Sequence, residues 1–132
     1  MRDQEPSGQV KILIIDDDVM TCRLLSVQLE TEGYACDTAS DPRAVLSTIA
    51  TTSPNLVLLD FHLGKHKGLE LLRAMRSREE YDDLAVVVMS GLDHRRECEL
   101  AGADGFVLKP FSVEDLVNTI QEVLEEQEPR IR

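Results

Sequence analysis

The stretch Asn55–Gly68 reads NLVLLDFHLGKHKG, and its first half decides the fold. Leu56, Val57, Leu58 and Leu59 form a continuous apolar run. A run that short, without alternation, fits a strand buried on both faces, as in a parallel sheet. Asp60 follows at once, where the strand would leave the core. Gly64, Gly68, two lysines and two histidines then give the next residues a loop composition. An acid at the carboxyl end of a central parallel strand stands where open α/β sheets place their chemistry. Taken alone, Asp60 reads equally well as the cap of a helix starting near Gly68. The rest of the chain has to decide.

Upstream, Val10–Ile15 (VKILII) reads as another buried strand, followed immediately by Asp16, Asp17 and Asp18. The spacing predicts a helix over Val19–Glu32, with Met20, Leu24, Val27 and Leu29 supplying much of its apolar surface and Gly33 stopping it. A weaker strand covers Tyr34–Ala39. Asp41 before Pro42 resembles an N-cap with proline at the first helical position. That helix runs to about Thr52, and Pro54 ends it.

Downstream, a helix near Gly68–Arg78 carries Leu69, Leu72 and Met75 on one face. Leu84–Met89 is a fourth strand, ending at Ser90 and Gly91. A short helix over Asp93–Ala101 stops at Gly102. Gly105–Leu108 is a fifth strand, ending at Lys109 and Pro110. Ser112 caps a last helix with Asp115 three residues on. Val113, Leu116, Val117, Ile120, Val123 and Leu124 keep helical spacing along it, and Pro129 is placed past its end. Five strands alternating with five helices imply an α/β fold: a doubly wound parallel sheet with helices on both faces. The expected organisation is a tail over Met1–Gln9, one domain over residues 10–127, and a short tail over 128–132.

The length of 132 residues suits one domain with a real core. A formal net charge of −11 argues against a nucleic-acid or anionic-membrane surface, since both need clustered Lys and Arg. Cys22, Cys36 and Cys98 are odd in number and form no CxxC pair, which points to a reducing cytoplasm rather than a disulfide framework or zinc site. No apolar run approaches a membrane span, and MRDQEPSGQ has no apolar core of a secretory signal.

What lies just beyond each strand carries the function. After the first come Asp16 and Asp17, after the third Asp60, after the fourth Ser90, and after the fifth Lys109. In a parallel sheet these ends share one edge, so the residues converge on one crevice. Three carboxylates in one crevice resist ionising together. A hard divalent cation removes that conflict: Mg²⁺ suits the site, taking oxygen ligands and keeping several waters, and Mn²⁺ is an alternative. With the metal, Lys109 would neutralise a phosphoryl group delivered to Asp60, and Ser90 would donate to one of its oxygens.

The set ILIIDDD, LVLLDFHLGKHKG, VVVMSG and FVLKPF resembles the receiver domain of two-component response regulators, from about Val10 to Glu126. The resemblance implies a flavodoxin-like five-stranded sheet of order 2-1-3-4-5. It implies that Asp60 accepts a phosphoryl group from a phosphohistidine on a sensor histidine kinase or phosphotransfer protein. Asp17 would bind Mg²⁺ directly, Asp16 through water, and the backbone carbonyl of His62 would be a further ligand. Lys109 would pair with the acids and then the phosphoryl group. Ser90 would move toward it, with Phe106 turning inward behind. Pro110 matches the family's cis-proline position. A downstream effector protein or domain is implied, and dimerisation is possible.

Departures from the family pattern accompany the match. Gly64 stands where the family usually has proline, which predicts a looser loop. Lys67 adds positive charge near the crevice, and Gly91 often has alanine as its counterpart. The interval from Ser90 to Lys109 is shorter than usual by about one helical turn, so the fourth helix should be short and the family's usual dimer face altered. Two other readings compete. One is a pseudo-receiver that binds without being phosphorylated. The other is a haloacid-dehalogenase-type phosphatase built on Asp16, Asp18, Ser90 and Lys109. The phosphatase needs a further acidic pair at a later strand end and leaves Asp60 unexplained. The remaining histidines, His66 and His94, read as surface residues.

Overall fold

The computed structural model describes residues 9–131, with 128–131 described by their backbone alone. Most of the expected tail over Met1–Gln9, and Arg132 of the C-terminal one, lie outside the described residues. Five strands form one parallel sheet: β1 (Lys11–Ile15), β2 (Ala35–Ala39), β3 (Leu56–Asp60), β4 (Ala85–Ser90) and β5 (Gly105–Leu108). Their order is β2-β1-β3-β4-β5. The helices are α1 (Val19–Thr31), α2 (Val45–Thr52), α3 (Gly68–Arg76), α4 (Arg95–Leu100) and α5 (Val113–Ile131).

Successive residues of the central strands feed opposite layers. Ile12 and Ile14 of β1, Leu56 and Leu58 of β3, and Ala85, Val87 and Met89 of β4 pack with Cys22, Leu25 and Leu29 of α1 and with Leu116, Val117, Ile120 and Val123 of α5. Leu13, Ile15, Val57, Leu59, Val86 and Val88 point the other way, onto Val45 and Ile49 of α2, Leu69, Leu72 and Met75 of α3, and Cys98 of α4. A strand buried on both faces has no polar alternation, which is why these three read as continuous apolar runs.

Side-chain caps open α1 and α5. Asp18 Oδ1 accepts from the Met20 and Thr21 backbone N–H groups at 3.0 and 3.4 Å, and Ser112 Oγ accepts from Asp115 N–H at 3.0 Å. Gly33 and Gly102 follow α1 and α4 at φ +99° and +107°. Asp41 caps a single 3-10 turn, Pro42–Ala44, which leads into α2.

Three expectations change. The buried face of α1 is Cys22, Leu25 and Leu29, whereas Met20, Leu24 and Val27 are 67%, 59% and 57% exposed. Both sets keep helical spacing, so periodicity alone does not choose between them. The backbone of α5 continues to Ile131, through Pro129. Within the last turns a proline removes one N–H, and no glycine stop is present there. The loop after β3 is not irregular: His62–Leu63 pairs antiparallel with His66–Lys67. Its two-residue turn starts at Gly64 with φ +61°, a value glycine adopts freely and proline is denied. As expected, α4 is short, at 6 residues.

Candidate functional site

The sheet register brings the strand ends together. Ile15 pairs with Leu59 across β1 and β3, Asp60 with Met89 across β3 and β4, and Ser90 with Leu108 across β4 and β5. Backbone bonds extend the register past the strands: Phe61 N–H donates to Met89 carbonyl at 2.8 Å and Lys109 N–H to Ser90 carbonyl at 2.7 Å. The residues named from the strand ends are therefore placed by the register of the sheet.

Oxygens of Asp16, Asp17 and Asp60 all lie within 4.8 Å of one another. Asp16 and Asp60 are buried, at 2% and 6% exposure, and Asp17 is exposed. Lys109 reaches in from β5: its Nζ donates to Asp60 Oδ1 at 3.2 Å and lies 3.9 Å from Asp16 Oδ2. Asp16 Oδ1 accepts from Asp18 N–H at 2.9 Å, but Asp16 Oδ2 is buried with no hydrogen-bond partner. Burial pushes the Asp16 carboxyl up from 3.8 to about 6, and the Asp60 and Asp17 charges add to this against the Asp18 N–H and Lys109. An orphaned buried carboxylate oxygen beside two further carboxylates fits a hard divalent cation. A groove of about 630 Å³, lined in part by Val10, Asn55 and Leu84, is at the opposite sheet edge, where the strands begin.

The other named residues are placed as follows. Ser90 is fully buried, and its Oγ accepts from Leu92 N–H at 3.2 Å. Phe106 is 8% exposed, and the Arg95 guanidinium lies 5.3 Å from its ring centroid. His62 is exposed at the base of the hairpin, opposite Lys67. The Lys109–Pro110 peptide bond is cis. Among the described residues no strand follows β5; the chain passes on into α5.

Two features escaped the sequence reading. Gly68 is more than a loop residue: a Cβ there would stand 2.2 Å from the Asp60 carbonyl oxygen and 3.0 Å from Phe61 Cα. Its N–H donates to Phe61 carbonyl at 2.7 Å. Only the absence of a side chain lets α3 begin this close to Asp60. His94, expected at the surface, lies flat on the Phe61 ring, with centroids 4.0 Å apart and planes at 4°. Nothing in local spacing reports a contact made between two loops.

Residues 12–121 match the model of the response regulator receiver domain. The chain belongs to that family. This receiver domain is 35% identical over 123 residues to the response regulator MprA of Mycolicibacterium vanbaalenii, covering 91% of the chain and 52% of that protein. It is 31% identical over 121 residues to the phosphate regulon transcriptional regulatory protein PhoB of Pseudomonas aeruginosa, covering 89% of the chain and 53% of that protein. The chain thus spans about half the length of these curated relatives. Among solved structures it superposes on a CheY-like receiver domain protein of Methanospirillum hungatei with a TM-score of 0.82 at 31% identity, covering 93% and 99% of the two chains. A chemotaxis response regulator of Vibrio cholerae gives 0.81 at 26% identity, covering 88% and 99%. The receiver domain is a signalling domain of two-component systems. Among its described residues no helix is long and apolar enough to cross a membrane.

Proposed function

We propose that Asp60 is the phosphoacceptor of this receiver domain, taking a phosphoryl group from a phosphohistidine on a sensor histidine kinase or phosphotransfer protein. The observation that carries this is the pairing of Asp60 with Lys109 at 3.2 Å beside the orphaned Asp16 oxygen. An Asp60 carboxylate oxygen attacks phosphorus, a P–O bond forms, the P–N bond to the donor imidazole breaks, and that imidazole takes up a proton. Lys109 offsets the charge gathering on the phosphoryl oxygens, and Ser90 exchanges its bond with Leu92 N–H for one to the phosphoryl group. Asp16, Asp17 and Asp60, with the His62 carbonyl, would hold Mg²⁺ or Mn²⁺. When bound, the cation supplies the charge neutralisation that lets three carboxylates stay ionised while a phosphoryl group arrives. Phe106, already buried at 8% exposure, stays packed behind Ser90 as it moves.

The donor would dock over α1. Its exposed Met20, Leu24 and Val27 make an apolar stripe, and Leu24 lines a groove of about 470 Å³ shared with Lys109, Pro110 and Phe111. That continuity between an apolar helix face and the reacting edge supports a helical donor carrying its phosphohistidine to Asp60. Residues 10–127 form the receiver unit in this reading, acting in the cytoplasm on a downstream effector protein or domain. The new phosphate, with about −1.5 to −2 charges at pH 7, is the signal.

The test is intact mass after incubation with Mg²⁺ and acetyl phosphate, for the wild type and Asp60→Ala. One added phosphoryl group, absent in the variant and without Mg²⁺, is the expected result. No adduct, together with no beryllofluoride binding, would refute the phosphoacceptor reading and leave a pseudo-receiver.

A further inference from the structure

Two consecutive residues at the start of α4 grip the two buried rings that flank the reacting edge. His94 stacks on Phe61, at 4.0 Å between centroids, and Phe61 directly follows Asp60. Arg95 places its guanidinium 5.3 Å from the centroid of Phe106, which lies three residues before Lys109. Phe61 and Phe106 are only 6% and 8% exposed. His94 Nδ1 lies 3.1 Å from Glu97 Oε1, and the Arg95 N–H donates to Asp93 Oδ1 at 3.1 Å. The start of the helix is thus internally braced.

We propose that the His94-Arg95 pair is a positioning clamp that holds the Phe106 ring inward before any phosphoryl group arrives. The proposal rests on the phosphoacceptor reading of Asp60. A cation over a ring face is attracted by the ring quadrupole, so Arg95 favours the buried ring over an outward one. His94 ties that hold to the residue beside Asp60. The intervening loop also carries Leu92, whose N–H is bonded to Ser90 Oγ, so a shift of Ser90 toward Asp60 that gives up this bond releases the same segment. Of the six residues of α4 only Cys98 is buried. On the reading that Phe106 lies inward behind a displaced Ser90, the inward ring is the competent arrangement. Arg95 therefore raises the ratio of inward to outward rings by about two- to fivefold.

The test uses the full chain with 4-fluorophenylalanine at its three phenylalanines, the Phe106 resonance being identified by its loss in Phe106→Leu. Beryllofluoride affinity is measured with Mg²⁺ on the same samples. In Arg95→Ala the Phe106 resonance moves toward its solvent-exposed position and affinity falls by up to about fivefold. Arg95→Lys recovers most of both, and His94→Phe keeps what His94→Ala loses. An unmoved resonance, or a moved resonance with unchanged or higher affinity, overturns the clamp. A wild type that binds no beryllofluoride refutes the phosphoacceptor reading instead, and the fluorine shift alone still decides whether Arg95 holds the ring.

Discussion

Asp16→Asn should make the metal-free protein more stable and at the same time abolish its stabilisation by Mg²⁺. The Asp16 carboxyl is 2% exposed, one of its oxygens has no hydrogen-bond partner, and its pKa rises from 3.8 to about 6, chiefly through burial. A rise of that size corresponds to about 3 kcal/mol between the two protonation states. The folded state binds this proton more tightly than the unfolded chain. The wild type therefore has this stability in full below pH 3.8 and loses it as pH rises through about 6. Asparagine keeps an oxygen to accept from Asp18 N–H, bonded at 2.9 Å in the wild type, and carries no charge to desolvate. The variant should match the wild type near pH 4 and exceed it by about 1–3 kcal/mol above pH 6.5, the lower end allowing for the new amide donors. The assay is urea unfolding from pH 4 to 8, with and without Mg²⁺. Saturating Mg²⁺ adds about 2.7 kcal/mol to the wild type at a hundred times its Kd and nothing to the variant. A variant no more stable than the wild type at pH 8 without metal, or a difference flat across pH, would refute the argument that Asp16 is held ionised against its surroundings.

Arg76 donates to Gly102 carbonyl at 2.9 Å, Tyr81 carbonyl at 2.7 Å and Asp104 Oδ2 at 3.0 Å, so Arg76→Ala should cost about 2–4 kcal/mol in urea unfolding. Arg76→Lys should recover less than half, because a point charge does not reproduce the fork; a loss under about 1 kcal/mol would contradict this. Gly68→Ala must displace backbone, since the new Cβ would stand 2.2 Å from the Asp60 carbonyl oxygen; it should cost about 1–3 kcal/mol and slow phosphorylation by acetyl phosphate. Leu25, at 6% exposure, and Leu24, at 59%, sit side by side on α1; Leu25→Ala should cost about 2–5 kcal/mol and Leu24→Ala less than about 0.5, while only the latter should weaken phosphotransfer from a kinase.

The sheet and its chemistry were legible for one physical reason. Strands buried on both faces must be apolar throughout, so their ends stand out as the first polar residue: Asp16, Asp60 and Ser90 each follow such a run. What the sequence hid depends on contacts between distant residues. The α1 helix offers two apolar stripes of equal spacing, and only the sheet beneath it selects Cys22, Leu25 and Leu29. The hydrogen bonds of Arg76 cross 26 and 28 positions, and His94 finds Phe61 from another loop. A helix pattern or a turn signal reports none of these.

The same division explains why a shortened α4 leaves the acidic site intact. Asp16, Asp60 and Ser90 hang from β1, β3 and β4, and Lys109 from the end of β5, held by its own backbone bond to Ser90. Removing a turn from α4 changes none of those registers. It removes instead packing that would otherwise set where α4 sits, leaving Cys98 as its sole buried anchor. The burden of fixing that helix passes to His94 and Arg95, on rings that belong to the reacting edge. The conformational cost of moving α4 is thereby tied to the site itself: on the proposed reading, a charge added at Asp60 acts on a small element held by few contacts rather than on the core.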